Sequence, residues 1–299
     1  MVKKRGAANT TVPLNVGGQA VIRLAVIIVS LSCLVVFDIS VGANLLDPKR
    51  VILPFLLLSA PALLLVGKIG TGVVSILRSQ MVPIGIITSV MNLLALLGNM
   101  TDPEQVASYL KFTYAPLSFG IVLSYLLYTM LEEDMHWPEL NRVESFLIAI
   151  AAIVAVIGSW LLVSDTRWIG SLADEWGLVL TFIVLINGLF YQGFKSLTLP
   201  QKICHSSVFC CIVSAVLGIA YYAFAVGTND PRLLGPTISF SLLAMFYGIT
   251  ICYAATLYGG KSGLTTKEGS YMDWHTIESY VFLTLMIFPP LSLLELVAS

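Results

Sequence analysis

Charge is scarce in this chain of 299 residues: charged side chains make up 11% of it, whereas hydrophobic side chains make up 57%. That scarcity leaves almost no sequence for a water-soluble domain. Basic and acidic residues nearly balance at a formal net charge of -1, which argues against a nucleic-acid partner. The composition therefore indicates a membrane protein.

Signatures of catalysis and of metal binding are missing from the sequence as well. The three histidines, His136, His205 and His275, are predicted in or beside cytoplasmic loops and follow none of the spacings typical of a metal or haem site. There is no Gly-x-Ser-x-Gly elbow, and Gly260-Lys261-Ser262 lacks the upstream glycine of a phosphate-binding loop. We therefore expect no enzymatic activity, no metal and no cofactor.

Cysteine is sparse, and its placement indicates small buried residues rather than a disulfide framework. The five cysteines all lie in or beside apolar runs: Cys33, Cys204, Cys210, Cys211 and Cys252.

Nine apolar runs fill most of the chain instead. They lie near residues 20–41, 51–67, 82–98, 107–130, 145–163, 176–194, 207–227, 237–258 and 278–298. A helix needs about 20 residues to cross a bilayer, and each run approaches that length. The runs are continuous rather than alternating, which favours helices over a closed barrel. We predict an all-α fold, a polytopic membrane bundle of about nine transmembrane helices.

The distribution of basic residues between the runs predicts a cytoplasmic N-terminus. With that orientation, eleven of the 16 basic residues lie inside, four lie outside, and Lys111 falls within a span. The inside set is Lys3, Lys4, Arg5, Arg23, Lys68, Arg78, Arg142, Lys195, Lys202, Lys261 and Lys267, and the outside set is Lys49, Arg50, Arg167 and Arg232. The ninth run then ends outside or in an organelle lumen.

A short repeat suggests internal symmetry. The fourth run contains Ala115-Pro116-Leu117-Ser118 near its midpoint, and the ninth contains Pro289-Pro290-Leu291-Ser292 at a similar depth. The first three runs map onto the sixth to eighth at an offset of about 155–160 residues. A five-span unit is odd, so two successive copies enter the membrane in opposite directions.

The repeat predicts the domain organisation. Residues 1–17 form a basic cytoplasmic tail, residues 18–163 form a first repeat of five helices, and residues 176–299 form a second repeat. The partner expected for the fifth run would be a tenth helix, which is missing from this sequence. We expect two inverted five-helix repeats with the last helix absent, because either the chain is a fragment or the protein lacks that helix.

The stretch from Ser79 to Val163 resembles the drug/metabolite transporter superfamily. The similarity lies in Met91-Asn92-Leu93-Leu94-Ala95 before an acidic turn, Val106-Ala107-Ser108-Tyr109-Leu110 before the Pro116 helix, Glu132-Glu133 after it, and Asn141 before a span containing Gly158. The arrangement is closest to the chloroquine-resistance-transporter-like group, with nucleotide-sugar and triose-phosphate translocators as alternatives. The resemblance implies ten helices in two inverted halves that move small polar or charged metabolites by alternating access, without nucleotide hydrolysis.

Proline and polar residues within the runs are the candidates for substrate binding. Proline frees a backbone carbonyl in a transmembrane helix, so Pro116 and Pro290, with Ser118 and Ser292, could line a midplane cavity. Amides and phenols in lipid need hydrogen-bond partners, which adds Asn92, Asn187 and Tyr222 to the predicted set. The alternatives are a packing kink for the prolines and contacts between helices for the amides and phenols.

Two charged residues within the runs are candidates for ion coupling. Asp38 lies in the outer half of the first run, where it is either a proton or cation site or an interfacial carboxylate. Lys111 lies outside Pro116 in the fourth run, where it could bind an anionic group or pair with Asp38. The alternative for Lys111 is a side chain that reaches back to the interface.

The leading functional prediction is a secondary transporter for a small polar or charged metabolite, embedded in membrane lipid. The alternative is a non-transporting structural or assembly subunit of a membrane complex, with a membrane-protein partner or a homodimer covering its exposed surface.

Overall fold

In the computed structural model of this chain, the described residues are 46–64, 72–97, 103–130, 141–164, 174–192, 197–228 and 234–259, with single positions between 25 and 36. The chain divides into two compact units, Met1–Ala43 and Asn44–Ser299. The described positions of the first unit are helical and exposed: Ala25, Ile28, Val29, Ser32 and Val36. Their spacing places them on one face of a helix, as the first apolar run predicts.

A π-helical turn and seven α-helices make up the described part of the second unit. The π-turn is Pro48–Ile52, followed by α1 (Leu53–Leu64), α2 (Gly72–Leu97), α3 (Pro103–Met130), α4 (Arg142–Val163), α5 (Glu175–Phe190), α6 (Leu199–Thr228) and α7 (Leu234–Gly259). The described residues contain no strand. The seven α-helices coincide with the second to eighth apolar runs, which confirms the all-α prediction here. The ninth run lies outside the described residues, and the nine-helix inverted repeat stays a prediction.

Helix ends differ from the ends of the apolar runs where polar residues continue a helix. The third run was placed from residue 82, yet α2 begins at Gly72 and includes Arg78 and Gln80. Arginine and glutamine lower the hydropathy of a segment but are good helix formers, so hydropathy underestimates the helix. α6 likewise begins at Leu199, and His205, predicted in or beside a loop, is buried within that helix.

Three helical stretches are long and apolar enough to cross a membrane: Arg142–Val163, Leu199–Gly218 and Ser239–Gly259. Shorter apolar stretches occur at Gln80–Leu96, Phe112–Leu127 and Glu175–Phe190. The share of buried residues reaches 78% in the α7 stretch and only 39% in the α4 stretch. α7 is therefore the more central helix, whereas α4 exposes an apolar face that suits lipid.

The helices pack as two close pairs, α2 with α3 and α6 with α7. Glycine permits the close approach in the first pair: a Cβ built on Gly85 would lie 2.8 Å from the carbonyl oxygen of Pro116, and one on Gly120 would lie 2.5 Å from that of Met81. In the second pair, a Cβ on Gly248 would lie 3.0 Å from the carbonyl oxygen of Ser207. Small residues at such contacts bring helix backbones together.

The contact at Gly120 can be tested by substitution. We expect Gly120→Ala to lower the free energy of unfolding by about 1–3 kcal/mol, because the new methyl group meets backbone that cannot rotate away. The measurement is the thermal midpoint of the purified chain in detergent. Gly227→Ala in α6 is the matched control, since nothing lies within 4 Å of a Cβ at that position. Equal midpoints for the two variants would contradict the close approach of α2 and α3.

Candidate functional site

Many polar side chains inside the bundle bond to the backbone of their own helix. The hydroxyl of Thr88 donates to the carbonyl of Ile84 at 2.8 Å, and that of Thr256 donates to the carbonyl of Cys252 at 2.8 Å. This back-bonding to the preceding turn satisfies a hydroxyl without any partner from another helix. Such residues are accounted for by local structure and need no ligand.

Some buried oxygens are different, because they have no hydrogen-bond partner within the described structure. Among them are Ser89 Oγ, Asn92 Oδ1, Ser159 Oγ and Thr250 Oγ1, and we call these four residues the polar seam. Leaving such a group unsatisfied costs about 1–3 kcal/mol, so a buried oxygen of this kind calls for a water, an ion or a ligand.

The polar seam lies on three helices that contact one another. Ser89 and Asn92 belong to α2, Ser159 to α4 and Thr250 to α7. α7 packs against both α2 and α4, and α2 also contacts α4. The oxygens that need a partner are thus concentrated on mutually packed helices of the bundle.

Asn92 is held by both of its amide hydrogens. Its Nδ2 donates to the backbone carbonyl of Arg50 at 3.1 Å and to that of Thr88 at 2.9 Å. The first bond ties α2 to the π-turn, and the side chain is completely buried. Because both donors are used, Asn92 can offer only its carbonyl oxygen to a further partner.

Arg50, whose backbone carbonyl accepts from Asn92, also lies against an aromatic ring. Its guanidinium carbon is 4.9 Å from the centre of the Phe112 ring on α3, within the range of a cation–π contact. Phe112 is itself buried. Through its carbonyl and its guanidinium, Arg50 therefore connects the π-turn to Asn92 on α2 and to Phe112 on α3.

A second junction joins α1, α4 and α7. The hydroxyl of Tyr253 on α7 donates to the backbone carbonyl of Leu58 on α1. The two bonded residues belong to different predicted halves. Trp160 on α4 packs against Phe246 on α7, with ring centres 6.5 Å apart. Pro61 lies one turn beyond Leu58 and interrupts the backbone hydrogen bonds of α1 at this point.

The structure brings together only part of the predicted substrate site. Asn92 and Pro116 are both buried on the paired helices α2 and α3. Ser118 is exposed on α3, and Asn187 is exposed on α5 with its Nδ2 donating to the carbonyl of Ile183 at 2.8 Å. Neither of these two exposed residues contacts Asn92 through a described hydrogen bond, and their roles stay predictions.

The other predicted site residues fall outside what the structure describes. Tyr222 and Lys111 are helical, in α6 and α3, but their side chains are not among the described ones. Asp38, Pro290 and Ser292 lie outside the described residues altogether. The ion-coupling predictions and the second Pro-Leu-Ser element are therefore untested.

The sequence analysis did not identify three residues of the polar seam, nor the position of Arg50 in the π-turn. Ser89, Ser159 and Thr250 are ordinary small residues of apolar runs, and their lack of partners is visible only in three dimensions. Arg50 was assigned to an outside loop. A usable signal was the i, i+3 spacing of Ser89 and Asn92, which places both on one face of a helix.

The four cysteines of the described ranges lie on α6 and α7, whereas Cys33 lies outside the described residues. Cys210, Cys211 and Cys252 are buried free thiols, which confirms their prediction as small buried residues, and Cys204 is partly buried. The thiol of Cys204 lies 3.6 Å from the carbonyl oxygen of Cys252. Within the described ranges, no three His, Cys, Asp or Glu side chains are grouped so that they could hold a metal ion.

Comparison with known proteins identifies no relative of this chain. No protein-family model matches the chain, and neither the curated proteins nor the solved structures contain a match to it. The resemblance to drug/metabolite transporters therefore stays a prediction from the sequence.

The junction between α1 and α7 can be tested at Tyr253. We expect Tyr253→Phe to lower the free energy of unfolding by about 0.5–1.5 kcal/mol, because the Leu58 carbonyl loses a buried donor. The readout is the thermal midpoint in detergent. Tyr125→Phe is the control, since Tyr125 is 66% exposed on α3. A Tyr253→Phe variant no less stable than this control would show that the hydrogen bond contributes nothing.

Proposed function

We propose that the chain is a polytopic membrane protein with a cytoplasmic N-terminus that works as a secondary transporter. It moves a small polar or charged metabolite by alternating access. The solute passes between the two predicted halves, along the helices that carry the polar seam.

The observation that carries this proposal is the polar seam itself. A bundle that serves only as a scaffold is expected to satisfy its buried polar groups internally, as Thr88 and Thr256 do. Hydroxyl and amide oxygens without partners, on helices that contact one another, instead suit a path that a hydrated solute occupies. α7 is the described helix of the second half that packs against both α2 and α4 of the first.

The distribution of proline supports a bundle that bends. Pro61 lies inside α1, Pro83 inside α2 and Pro116 inside α3. Each removes one backbone hydrogen bond from its helix and so provides a point of bending. Alternating access requires such deformation of one half against the other, and the layout that resembles drug/metabolite transporters fits the same motion.

A second candidate function, a non-transporting subunit of a membrane complex, draws its support from α5. Trp176, Phe182, Ile183 and Phe190 are exposed there, at 74%, 65%, 50% and 81%, and Asn187 lies on the same helix with its side chain exposed. An amide facing lipid is costly, so a partner helix could cover it.

Flux measurements on reconstituted protein test the transport proposal. Proteoliposomes are assayed for counterflow with a panel of amino acids, hydroxy acids, sugar phosphates and organic cations. We expect Ser89→Ala, Ser159→Ala and Thr250→Val each to reduce flux of the transported solute by about threefold to tenfold, because each removes a hydrogen bond to the passing solute. Each variant should retain its thermal midpoint, since no protein hydrogen bond is lost.

Ser59→Ala on α1 is the matched control, because its hydroxyl already donates to the Phe55 carbonyl at 2.7 Å. Flux in that variant should equal the unmodified level. Folded protein that moves none of the panel would overturn the transport proposal and favour the subunit. If none of the three seam substitutions changes flux, transport does not depend on the polar seam.

A further inference from the structure

Two thiols meet where α6 and α7 lie side by side. Cys204 is in the second turn of α6, and Cys252 is two turns before the end of α7. The Sγ atom of Cys204 lies 3.6 Å from the backbone carbonyl oxygen of Cys252. The two side chains also interact directly with each other. Both cysteines are free thiols.

The close approach of the two helices favours a covalent bond at this place. A disulfide requires Cα atoms roughly 4.4–6.8 Å apart, which is closer than the axes of most packed helices. Gly248 lies one turn before Cys252, and a Cβ built on it would lie 3.0 Å from the carbonyl oxygen of Ser207 and 3.1 Å from the Sγ atom of Cys211. With the backbones this close, side chains as short as cysteine can reach across the interface.

Thr256 directs the Cys204 thiol toward α7. Its hydroxyl lies 3.5 Å from the Sγ atom of Cys204 and donates to the Cys252 carbonyl at 2.8 Å. Both of these oxygens belong to the helix that carries Cys252. The Cys204 thiol therefore faces its potential partner rather than the lipid.

The other two described thiols on α6 contact groups that cannot form a disulfide. The Sγ atom of Cys210 lies 3.4 Å from the hydroxyl of Thr181 on α5 and 3.6 Å from the carbonyl oxygen of Ala244. The Sγ atom of Cys211 lies 3.7 Å from the carbonyl oxygen of Met245. Neither thiol has a described hydrogen bond to a cysteine on α7.

Exposure differs between the two members of the pair. Cys204 is partly buried, whereas Cys252 is 1% exposed. Susceptibility of a thiol to oxidation rises with its exposure. Cys204 is therefore the thiol that a small oxidant reaches first, and Cys252 is the neighbouring thiol that can react with the oxidised sulfur.

We infer that Cys204 and Cys252 form a redox-sensitive modification site, at which a hydroperoxide converts the two thiols into a disulfide between α6 and α7. The sulfur of Cys204 attacks one peroxide oxygen, the O–O bond breaks, and Cys204 becomes a sulfenic acid while one water leaves. The sulfur of Cys252 then attacks the sulfenic sulfur, so that the S–S bond forms and the S–O bond breaks. The departing hydroxide leaves with the Cys252 proton as a second water. Two electrons pass from the thiols to the peroxide.

The disulfide fastens the central helix of the bundle. Cys252 lies between Thr250 of the polar seam and Tyr253, whose hydroxyl donates to the Leu58 carbonyl on α1. A bond between residues this far apart in the chain also restricts the unfolded state, so the oxidised chain is the more stable one. This inference does not rest on the transport proposal.

Mass spectrometry of unreduced digests tests the site on the purified full chain in detergent. The reduced chain is treated with hydrogen peroxide, denatured and alkylated. We expect one intramolecular linkage, between the peptides of Cys204 and Cys252, and loss of two of the five alkylatable thiols. Dithiothreitol should restore both thiols. A linkage through Cys211 or Cys33, a linkage between two chains, or no linkage at all would overturn the site.

Variants assign the linkage to its residues. Cys204→Ser and Cys252→Ala should each abolish it, whereas Cys211→Ala, the matched control on α6, should retain it. Peroxide should raise the thermal midpoint of the unmodified chain by about 5 °C and leave that of Cys204→Ser unchanged. If Cys252→Ala does not fold, the partly buried Cys204→Ser position still decides. A linkage that persists in Cys204→Ser, or an unmodified chain whose midpoint does not respond to peroxide, would overturn the inference.

Discussion

Close backbone contact within two helix pairs is the constraint on which the other features of this bundle depend. Gly85 and Gly120 let α2 and α3 approach until a single added methyl group would meet a backbone carbonyl, and Gly248 does the same for α7 against α6. Helices at this separation bring even short side chains into contact across the interface. Serine, threonine, cysteine and asparagine can therefore occupy positions that would otherwise require large apolar residues.

In an interior packed this densely, the buried polar groups that lack a hydrogen-bond partner are informative. The hydroxyls of Thr88 and Thr256 donate to carbonyls of their own helices and need no partner from a neighbouring helix. Ser89, Asn92, Ser159 and Thr250 each retain an oxygen without a partner. These residues lie on α2, α4 and α7, which pack against one another, and the proposed path for a polar solute follows these three helices. The π-turn is tied to this interior, because the backbone carbonyl of Arg50 accepts a hydrogen bond from the Asn92 amide.

The sequence predicted individual helices well and the site poorly. Seven of the apolar runs coincide with described helices, because about 20 apolar residues in lipid have few alternatives to a helix. Asn92 was identified as a candidate because an amide within an apolar run requires a partner. Asn187 was ranked beside it on the same argument, yet it is exposed on α5 and bonded to its own helix. Hydropathy measures how polar a position is, but it does not measure which way that position faces.

The amino-acid sequence by itself determined that the described chain is helical and that several helices can enter a membrane, since both follow from local composition and length. Only the tertiary structure decided that α7 is central, that Tyr253 reaches the α1 carbonyl near Pro61, and that Arg50 lies over Phe112. These contacts join residues far apart in the chain. They depend on which helix faces pack together, and an apolar run constrains that choice weakly because lipid and protein neighbours suit the same side chains.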